Sequence, residues 1–133
     1  MQKDTYARGI VGGIALLDLG WRFFLLETAG RVYRNMGAGF SLPVPAWIIL
    51  PLSAVLIASL IIFVRHVQEP LPRTALFAVI VGALSNLTDR IVHGFTTDYI
   101  FLPHGAVINA ADILIVCGIA VFLFSHPQPR IDK

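Results

Sequence analysis

The sequence is poor in charge and almost free of cysteine. Of its 133 residues, 14% are charged and 56% are hydrophobic, whereas an average soluble domain has about 25% charged residues. This shortage excludes a disordered tail, a coiled coil and a nucleic-acid-binding module that works through a charged face. The net charge of +2 is too small to indicate an acidic partner. The single cysteine, Cys117, excludes a disulfide framework and a multi-cysteine metal site within one chain.

Long hydrophobic runs are present instead. In hydrocarbon only helices and closed barrels satisfy all of their backbone polar groups, and these runs are too continuous for barrel strands. The sequence therefore predicts an all-α membrane protein. We expect one integral membrane domain, residues 1–133, forming a four-transmembrane-helix bundle with small extracytoplasmic loops. The predicted spans are about 9–26, 44–64, 74–92 and 105–125.

The first hydrophobic run follows Lys3 and Arg8, as in a cleaved signal peptide. A secretory hydrophobic region does not normally hold an Asp and an Arg, however, and this one contains Asp18 and Arg22. We therefore expect the segment to be retained as a helix.

The distribution of basic residues predicts the orientation. The two termini and the loop between the second and third spans hold six Lys and Arg residues, against two in the first loop and none in the third. By the positive-inside rule, both termini face the cytoplasm, and the first and third loops are extracytoplasmic. The six residues are Lys3, Arg8, Arg65, Arg73, Arg130 and Lys133.

The predicted first span carries an acid and a base one helical turn apart. An ionisable side chain at the centre of a transmembrane helix costs about 2.5–3.5 kcal/mol on insertion scales. Asp18 and Arg22 have i, i+4 spacing, so they can neutralise each other on one helical face. We favour a structural ion pair over a direct chemical role for these two residues.

Two further polar groups lie in the third and fourth spans. Asn86, Asp89 and Arg90 form a stripe on the third span, and this stripe must face protein or trapped water. A supporting or orienting role is our interpretation of the stripe. Asn109 and Asp112 have i, i+3 spacing on the fourth span. With that span starting near residue 105, Asp112 is expected roughly 10 Å inside it.

Asp98 lies in the predicted return loop, and the chain can fold back to bring it close to Asp112. Two carboxylates about 3 Å apart in a low dielectric share one proton, so one acts as a base on water and the other as an acid, as in aspartic proteases. The alternative is that Asp98 is a solvated loop acid and Asp112 packs in its helix, hydrogen-bonded to Asn109. Because His93 and His104 show no metal-ligand spacing, we expect no metal and no cofactor.

Several blocks of the sequence, taken in order, resemble the bacterial lipoprotein signal peptidases (signal peptidase II). The blocks are Asp18-Leu19-Gly20-Trp21-Arg22, Arg34-Asn35-Met36-Gly37-Ala38-Gly39-Phe40, Asn86-Leu87-Thr88-Asp89-Arg90, Thr96-Thr97-Asp98-Tyr99-Ile100 and Asn109-Ala110-Ala111-Asp112. The resemblance extends from about Asp18 to Phe124. Some positions differ from the family pattern, with Arg22 in place of Lys and Thr96-Thr97 in place of two valines, and the segment between Asp18 and Asn35 is shorter. The chain looks like a compact or divergent member.

The resemblance implies an intramembrane aspartyl endopeptidase of four transmembrane helices in the bacterial cytoplasmic (inner) membrane, with its site near the extracytoplasmic face. Its substrates would be prolipoproteins, cleaved just before a cysteine that carries a diacylglyceryl group. Membrane lipids and globomycin-type inhibitors would be its other partners, and no nucleic acid is expected. The resemblance aligns Asp98 and Asp112 with the catalytic pair. It gives substrate-binding or supporting roles to Asn35, Asn86, Asp89, Arg90 and Asn109.

Two other functions remain open at this point. One is a catalytically inactive relative that acts as a membrane packing or lipoprotein-binding protein, which the short loops allow. The other is a small proton-coupled transport subunit, in which Asp18, Asp89 and Asp112 form a carboxylate relay. A relay needs acids spread through the depth of the membrane, whereas Asp89, Asp98 and Asp112 are concentrated towards one face.

Overall fold

The structure, a computed structural model, describes residues 2–28, 30–37 and 44–125. Residues 38–40 of the second block, and Arg130 and Lys133 of the charge count, lie outside the described residues. Within the described part the fold is mostly helical. Its helices are α1 (Gln2–Glu27), α2 (Ala46–Val64), α3 (Pro70–His93) and α4 (Ala110–Phe124).

Three of these helices are long and apolar enough to cross a membrane. Their qualifying segments are Asp4–Glu27, Trp47–Val64 and Pro70–His93. Two helices begin earlier than predicted. Helix α1 starts at Gln2 instead of about residue 9, and α3 starts at Pro70 instead of about residue 74. The start of α3 at Pro70 is well tolerated, because the N–H that proline lacks has no intrahelical partner in the first helical turn.

Helix α4 is shorter than predicted, because it begins at Ala110 instead of about residue 105. Asn109 has an extended backbone (φ −130°, ψ 175°), and its side chain caps the helix. Asp112 therefore lies in the first turn of α4, and not about seven residues into the helix as a start near residue 105 implies. Hydrophobic composition cannot locate this boundary, because Gly105–Ile108 is as apolar as a helix turn but forms the end of a 3₁₀ turn and a short strand.

Within the described residues, four short strands occupy the connections and were not predicted. Strands β1 (Tyr33–Asn35) and β2 (Thr96–Asp98) pair antiparallel, as do β3 (Ile100–Phe101) and β4 (Val107–Ile108). Gly94, with a positive φ of 82°, ends α3 in the left-handed conformation and lets the chain turn directly into β2. The strands follow α1 and α3 and precede α4, so they gather at one end of the bundle.

The centre of the bundle is α3, against which the other three helices pack. Helices α3 and α4 pack tightly at two glycines. A Cβ atom at Gly82 would lie 2.7 Å from the carbonyl oxygen of Ala111, and one at Gly118 would lie 2.7 Å from that of Ala75. Apolar side chains such as Leu16, Trp47 and Val116 remain exposed on the outer faces of the helices. An apolar outer surface is expected of a bundle surrounded by lipid.

Candidate active site

Asp98 is the last residue of β2, and its side chain is buried. The residue is only 1% exposed. Each carboxylate oxygen accepts a hydrogen bond from an asparagine amide. The Nδ2 of Asn35 donates to Oδ2 at 2.9 Å, and the Nδ2 of Asn109 donates to Oδ1 at 2.5 Å. The alternative that Asp98 is a solvated loop acid is therefore wrong.

Asp112 is the third residue of α4 and forms a reciprocal cap with Asn109. Its N–H donates to the Asn109 Oδ1 at 2.9 Å, and its Oδ2 accepts from the Asn109 N–H at 3.2 Å. The other carboxylate oxygen accepts from the Nδ2 of Asn86 at 2.8 Å. Asn109 thus contacts both acids, Asp98 through its side chain and Asp112 through side chain and backbone. The two acids predicted to meet are joined by this one residue.

Burial has a chemical consequence for Asp98. Loss of solvent is the main effect that raises the pKa of its carboxyl group, to about 6. The hydrogen bonds from Asn35 and Asn109 oppose this rise because they stabilise the charged form, while the neighbouring Asp112 adds to it. A carboxyl group with a pKa near 6 exchanges its proton close to neutral pH, as acid–base catalysis requires.

Arg22 is fully buried at the centre of a second cluster, next to the two acids. It forms an ion pair with Asp18, one turn away on α1, as the i, i+4 spacing predicts. It also forms an ion pair with Asp89 of α3 at 3.1 Å, which the spacing did not predict. Two acids around one arginine satisfy a charge that would be very costly to bury alone.

Asn86 connects the two clusters. Its Oδ1 accepts from Arg22 at 3.0 Å, and its Nδ2 donates to Asp112 at 2.8 Å. Because an arginine only donates hydrogen bonds, it fixes which end of the Asn86 amide faces Asp112. Arg22 of α1 therefore orients the Asn86 Nδ2 group that donates to Asp112.

The other two residues of the α3 stripe hold the loops around the acids. Asp89 accepts from the backbone N–H of Thr97 at 2.6 Å, which attaches β2 to α3, and it also contacts His93 at 2.7 Å. The Nη2 of Arg90 donates to the carbonyl oxygen of Gly37 at 3.0 Å, which attaches the segment after β1. The predicted stripe thus faces protein, since Asn86 and Asp89 both contact Arg22 and Arg90 contacts Gly37.

Tyr99 was missed by the sequence reasoning. Its hydroxyl donates to the Oδ1 of Asp18 at 2.6 Å and accepts from the N–H of Ala110 at 3.4 Å. Its position directly after Asp98 is the only signal in the sequence, because its partners are 81 and 11 residues away. Among the described residues, no group of three or more His, Cys, Asp or Glu side chains is placed to hold a metal ion.

Comparison with known proteins identifies the family. The family model described as Signal peptidase (SPase) II matches residues 14–126. The chain belongs to the signal peptidase II family. Membership of this family, together with the apolar helices, makes it a bacterial membrane protein.

Individual signal peptidase II relatives support the assignment. The chain is 38% identical to the lipoprotein signal peptidase of Syntrophomonas wolfei over 87 residues, which are 64% of this chain and 58% of the relative. It is 32% identical to that of Brevibacillus brevis over 96 residues, 68% of this chain and 64% of the relative. The match thus spans about three fifths of the length of these two relatives.

A longer match is found with the lipoprotein signal peptidase of Klebsiella aerogenes. It is 26% identical over 148 positions and covers 93% of this chain and 90% of the relative. Because 148 positions exceed the 133 residues of this chain, the alignment opens gaps in it. Two solved structures of a bacterial membrane enzyme, determined by the in meso method, share the fold. Both are 16% identical to this chain. The first has a TM-score of 0.74, and the match covers 100% of this chain and 96% of the solved chain. The second has a TM-score of 0.72, and the match covers 94% and 92%.

Proposed function

We propose that this chain is an intramembrane aspartyl endopeptidase that cleaves the signal peptide from diacylglyceryl-modified prolipoproteins just before the lipidated cysteine. Asp98 and Asp112 are its catalytic pair. The bridge that Asn109 makes between these two acids is the observation that carries the proposal. The relatives named lipoprotein signal peptidase give the substrate class.

The pair acts by sharing a proton. The ionised acid removes a proton from water, and the protonated acid polarises the scissile carbonyl and later donates a proton to the leaving amine. Because the two carboxyl groups are coupled, the proton belongs to the pair and not to one residue. The pKa of Asp98, raised to about 6 by burial, makes this carboxyl group far easier to protonate than a free aspartate, which favours a proton shared by the pair.

The proposed topology has four transmembrane helices within one membrane domain and both termini in the cytoplasm. The loops that carry β1 to β4 are then extracytoplasmic, and Arg65 and Arg73 lie on the cytoplasmic side. Helix α4, with 15 residues, is about 22 Å long, against about 30 Å for the hydrocarbon core. If its C-terminal end reaches the cytoplasmic surface, its N-terminal end, with Asp112, lies several ångströms below the outer surface.

This depth fits the chemistry of the substrate. The diacylglyceryl group of a prolipoprotein stays in the outer leaflet of the inner membrane, so a site below the surface reaches the scissile bond without lifting the acyl chains into water. Surrounding lipids are therefore partners of the enzyme. Globomycin-type inhibitors are expected to block the same pair of acids.

The remaining site residues have supporting roles in this proposal. Asn35 and Asn109 hold Asp98, and Asn86 orients Asp112. Asp18 and Arg22 form the structural ion pair, which Asp89 completes, and Arg90 holds the loop after β1. The comparisons do not favour a transport subunit or an inactive relative, because the relatives cited above are named as peptidases.

The proposal is tested with purified protein in detergent and a diacylglyceryl-modified prolipoprotein. The wild-type protein should release the signal peptide, and globomycin should inhibit the release. Asp98→Asn and Asp112→Asn should each reduce the rate at least about 1,000-fold, because each removes a group that moves a proton. Glu27→Gln, at an exposed position at the end of α1, is the matched control and should keep full activity.

Two results would contradict the proposal. Cleavage that survives in Asp98→Asn or Asp112→Asn removes that residue from the catalytic pair. A folded wild-type protein that binds the substrate without cleaving it is instead a lipoprotein-binding relative.

A further inference from the structure

Tyr99 occupies the junction between the two acid-bearing segments. It directly follows Asp98, and its backbone N–H donates to the carbonyl oxygen of Ile108 at 3.0 Å. Its hydroxyl accepts from the N–H of Ala110, the first residue of α4. Ala110 lies two residues before Asp112. Through these two contacts Tyr99 attaches the loop of Asp98 to the start of the helix that carries Asp112.

A third contact of Tyr99 reaches the arginine cluster. Its hydroxyl donates to Asp18 at 2.6 Å, and Asp18 pairs with Arg22. Arg22 in turn donates to Asn86, the residue that donates to Asp112. The phenol is thus connected to Asp112 from both sides, through the backbone of α4 and through the side chains of α1 and α3.

The hydroxyl is well suited to a fixed donor role. Burial raises the pKa of Tyr99 to about 12, and the hydrogen bond to Asp18 adds to the rise. The group therefore stays protonated at every pH at which a peptidase of this kind would work. A phenylalanine would fill the same space but make neither hydroxyl contact.

We propose that the Tyr99 hydroxyl is a positioning group that sets the separation of the Asp98 and Asp112 carboxyl groups. The inference rests on the proposed function, in which these two acids share a proton. Tyr99 acts through the loop and the helix end, and the proposal gives it no contact with the substrate.

The test compares wild-type protein with Tyr99→Phe, and uses Tyr33→Phe, at a residue of β1 that is 42% exposed, as the matched control. Tyr99→Phe should lower kcat about tenfold or more with little change in KM, because a small displacement of catalytic groups slows chemistry more than binding. The pH profile of kcat should also shift, since the coupling between the acids depends on their distance. Tyr33→Phe should change neither quantity. A Tyr99→Phe variant within twofold of wild type, with an unchanged profile, overturns the proposal.

A second measurement separates this inference from the proposed function. Infrared titration of the carboxyl groups needs no substrate and reports the pH at which Asp98 is half protonated, its titration midpoint. The Asp98 band is identified by its loss in Asp98→Asn. If the wild type does not cleave, the proposed function fails, and the infrared result alone decides the role of Tyr99. A midpoint shifted by about half a pH unit or more in Tyr99→Phe supports positioning, and an unchanged midpoint overturns it.

Loss of folding is controlled by a second variant. If Tyr99→Phe does not fold, Ala110→Pro takes its place in both measurements. Proline fits the first position of a helix and removes the N–H that contacts the Tyr99 hydroxyl. The extended backbone of Asn109 is also compatible with a following proline. The same shift in the profile or the midpoint supports the proposal, and its absence overturns it.

Discussion

Asn109 has two separable roles, as the cap of α4 and as a hydrogen-bond donor to Asp98. The cap uses its Oδ1, which accepts from the N–H of Asp112, and the donor role uses its Nδ2. Serine is as good a cap as asparagine but is too short to replace the Nδ2 donor. A pair of substitutions can therefore remove one role or both.

We expect Asn109→Ser to keep the contribution of the helix cap to stability and to lose activity about 10- to 100-fold, as for a lost hydrogen bond to a charged group. Asn109→Ala should lose a similar amount of activity and be about 1 kcal/mol less stable than Asn109→Ser, because the cap is gone as well. The measurements are prolipoprotein cleavage and thermal unfolding in detergent. Full activity of Asn109→Ser would show that Asp98 does not need this donor.

The buried carboxyl group of Asp98 predicts a pH dependence of stability. Its pKa in the folded protein is about 6, against 3.8 for the free side chain, so the folded state prefers the protonated acid. The stability contributed by this preference is complete below about pH 4 and is lost as the pH rises through 6. In Asp98→Asn this loss cannot occur.

We therefore compare the melting temperature of Asp98→Asn with that of wild type at two pH values. The difference, variant minus wild type, should be roughly 5 °C larger at pH 7.5 than at pH 4.5. The comparison between two pH values cancels the constant effect of replacing a carboxylate oxygen by an amide beside two asparagine donors. Glu27→Gln, at an exposed position, should show no such trend. A pH-independent difference between Asp98→Asn and wild type would mean that Asp98 stays ionised in the folded state.

At the scale of the elements, the helices were predictable and the strands were not. Hydrophobic runs are long enough to reveal four helices, and their ends are the main errors. Strands of two or three residues contain too little pattern to detect. Strands β1 and β2 form because Asn35 pairs with Thr96 and Tyr33 with Asp98 across more than 60 residues of sequence.

The site was partly predictable for a related reason. Asp18 and Arg22, like Asn109 and Asp112, are neighbours along one helix, so their spacing indicates their contact. The contacts of Asp89 with Arg22 and of Tyr99 with Asp18 join different elements. Such contacts form only when the elements pack together, so no spacing pattern in the sequence indicates them.

Two glycines of the α3–α4 interface allow packing and site geometry to be separated. A Cβ at Gly82 would meet the carbonyl oxygen of Ala111, next to Asp112, whereas a Cβ at Gly118 would meet that of Ala75, near the opposite end of the interface. Both obstacles are backbone atoms, 2.7 Å away, so the helices must shift to admit a methyl group.

We expect Gly82→Ala and Gly118→Ala each to destabilise the protein by about 1–3 kcal/mol. Gly82→Ala should in addition lower activity about tenfold or more, because it moves the end of α4 that carries Asp112. Gly12→Ala on α1, where a Cβ would meet nothing within 4 Å, should be neutral or slightly stabilising. Unfolding and cleavage assays check all three, and equal activity losses at Gly82 and Gly118 would argue against a local effect on the site.

At the scale of the whole molecule, the position of the loops relative to the membrane decides whether the acids can reach a lipidated substrate. The end of the bundle that carries β1 to β4 must face the extracytoplasmic side, and the connection between α2 and α3 must face the cytoplasm. Two exposed uncharged residues mark these two ends. Thr28 follows α1 at the first end, and Gln68 lies between α2 and α3 at the other. Replacing either with cysteine leaves the charge balance that directs insertion unchanged.

In a Cys117→Ser background, Thr28→Cys should react with a membrane-impermeant maleimide added to intact spheroplasts. Gln68→Cys should react only after the membrane is permeabilised. The background variant without a new cysteine measures unspecific labelling, and labelling of both sites in detergent shows that each thiol is reactive. Labelling of Gln68→Cys in intact cells, with Thr28→Cys protected, would reverse the orientation. The acids would then lie in the leaflet opposite to the diacylglyceryl groups, and the proposed reaction would be excluded by geometry.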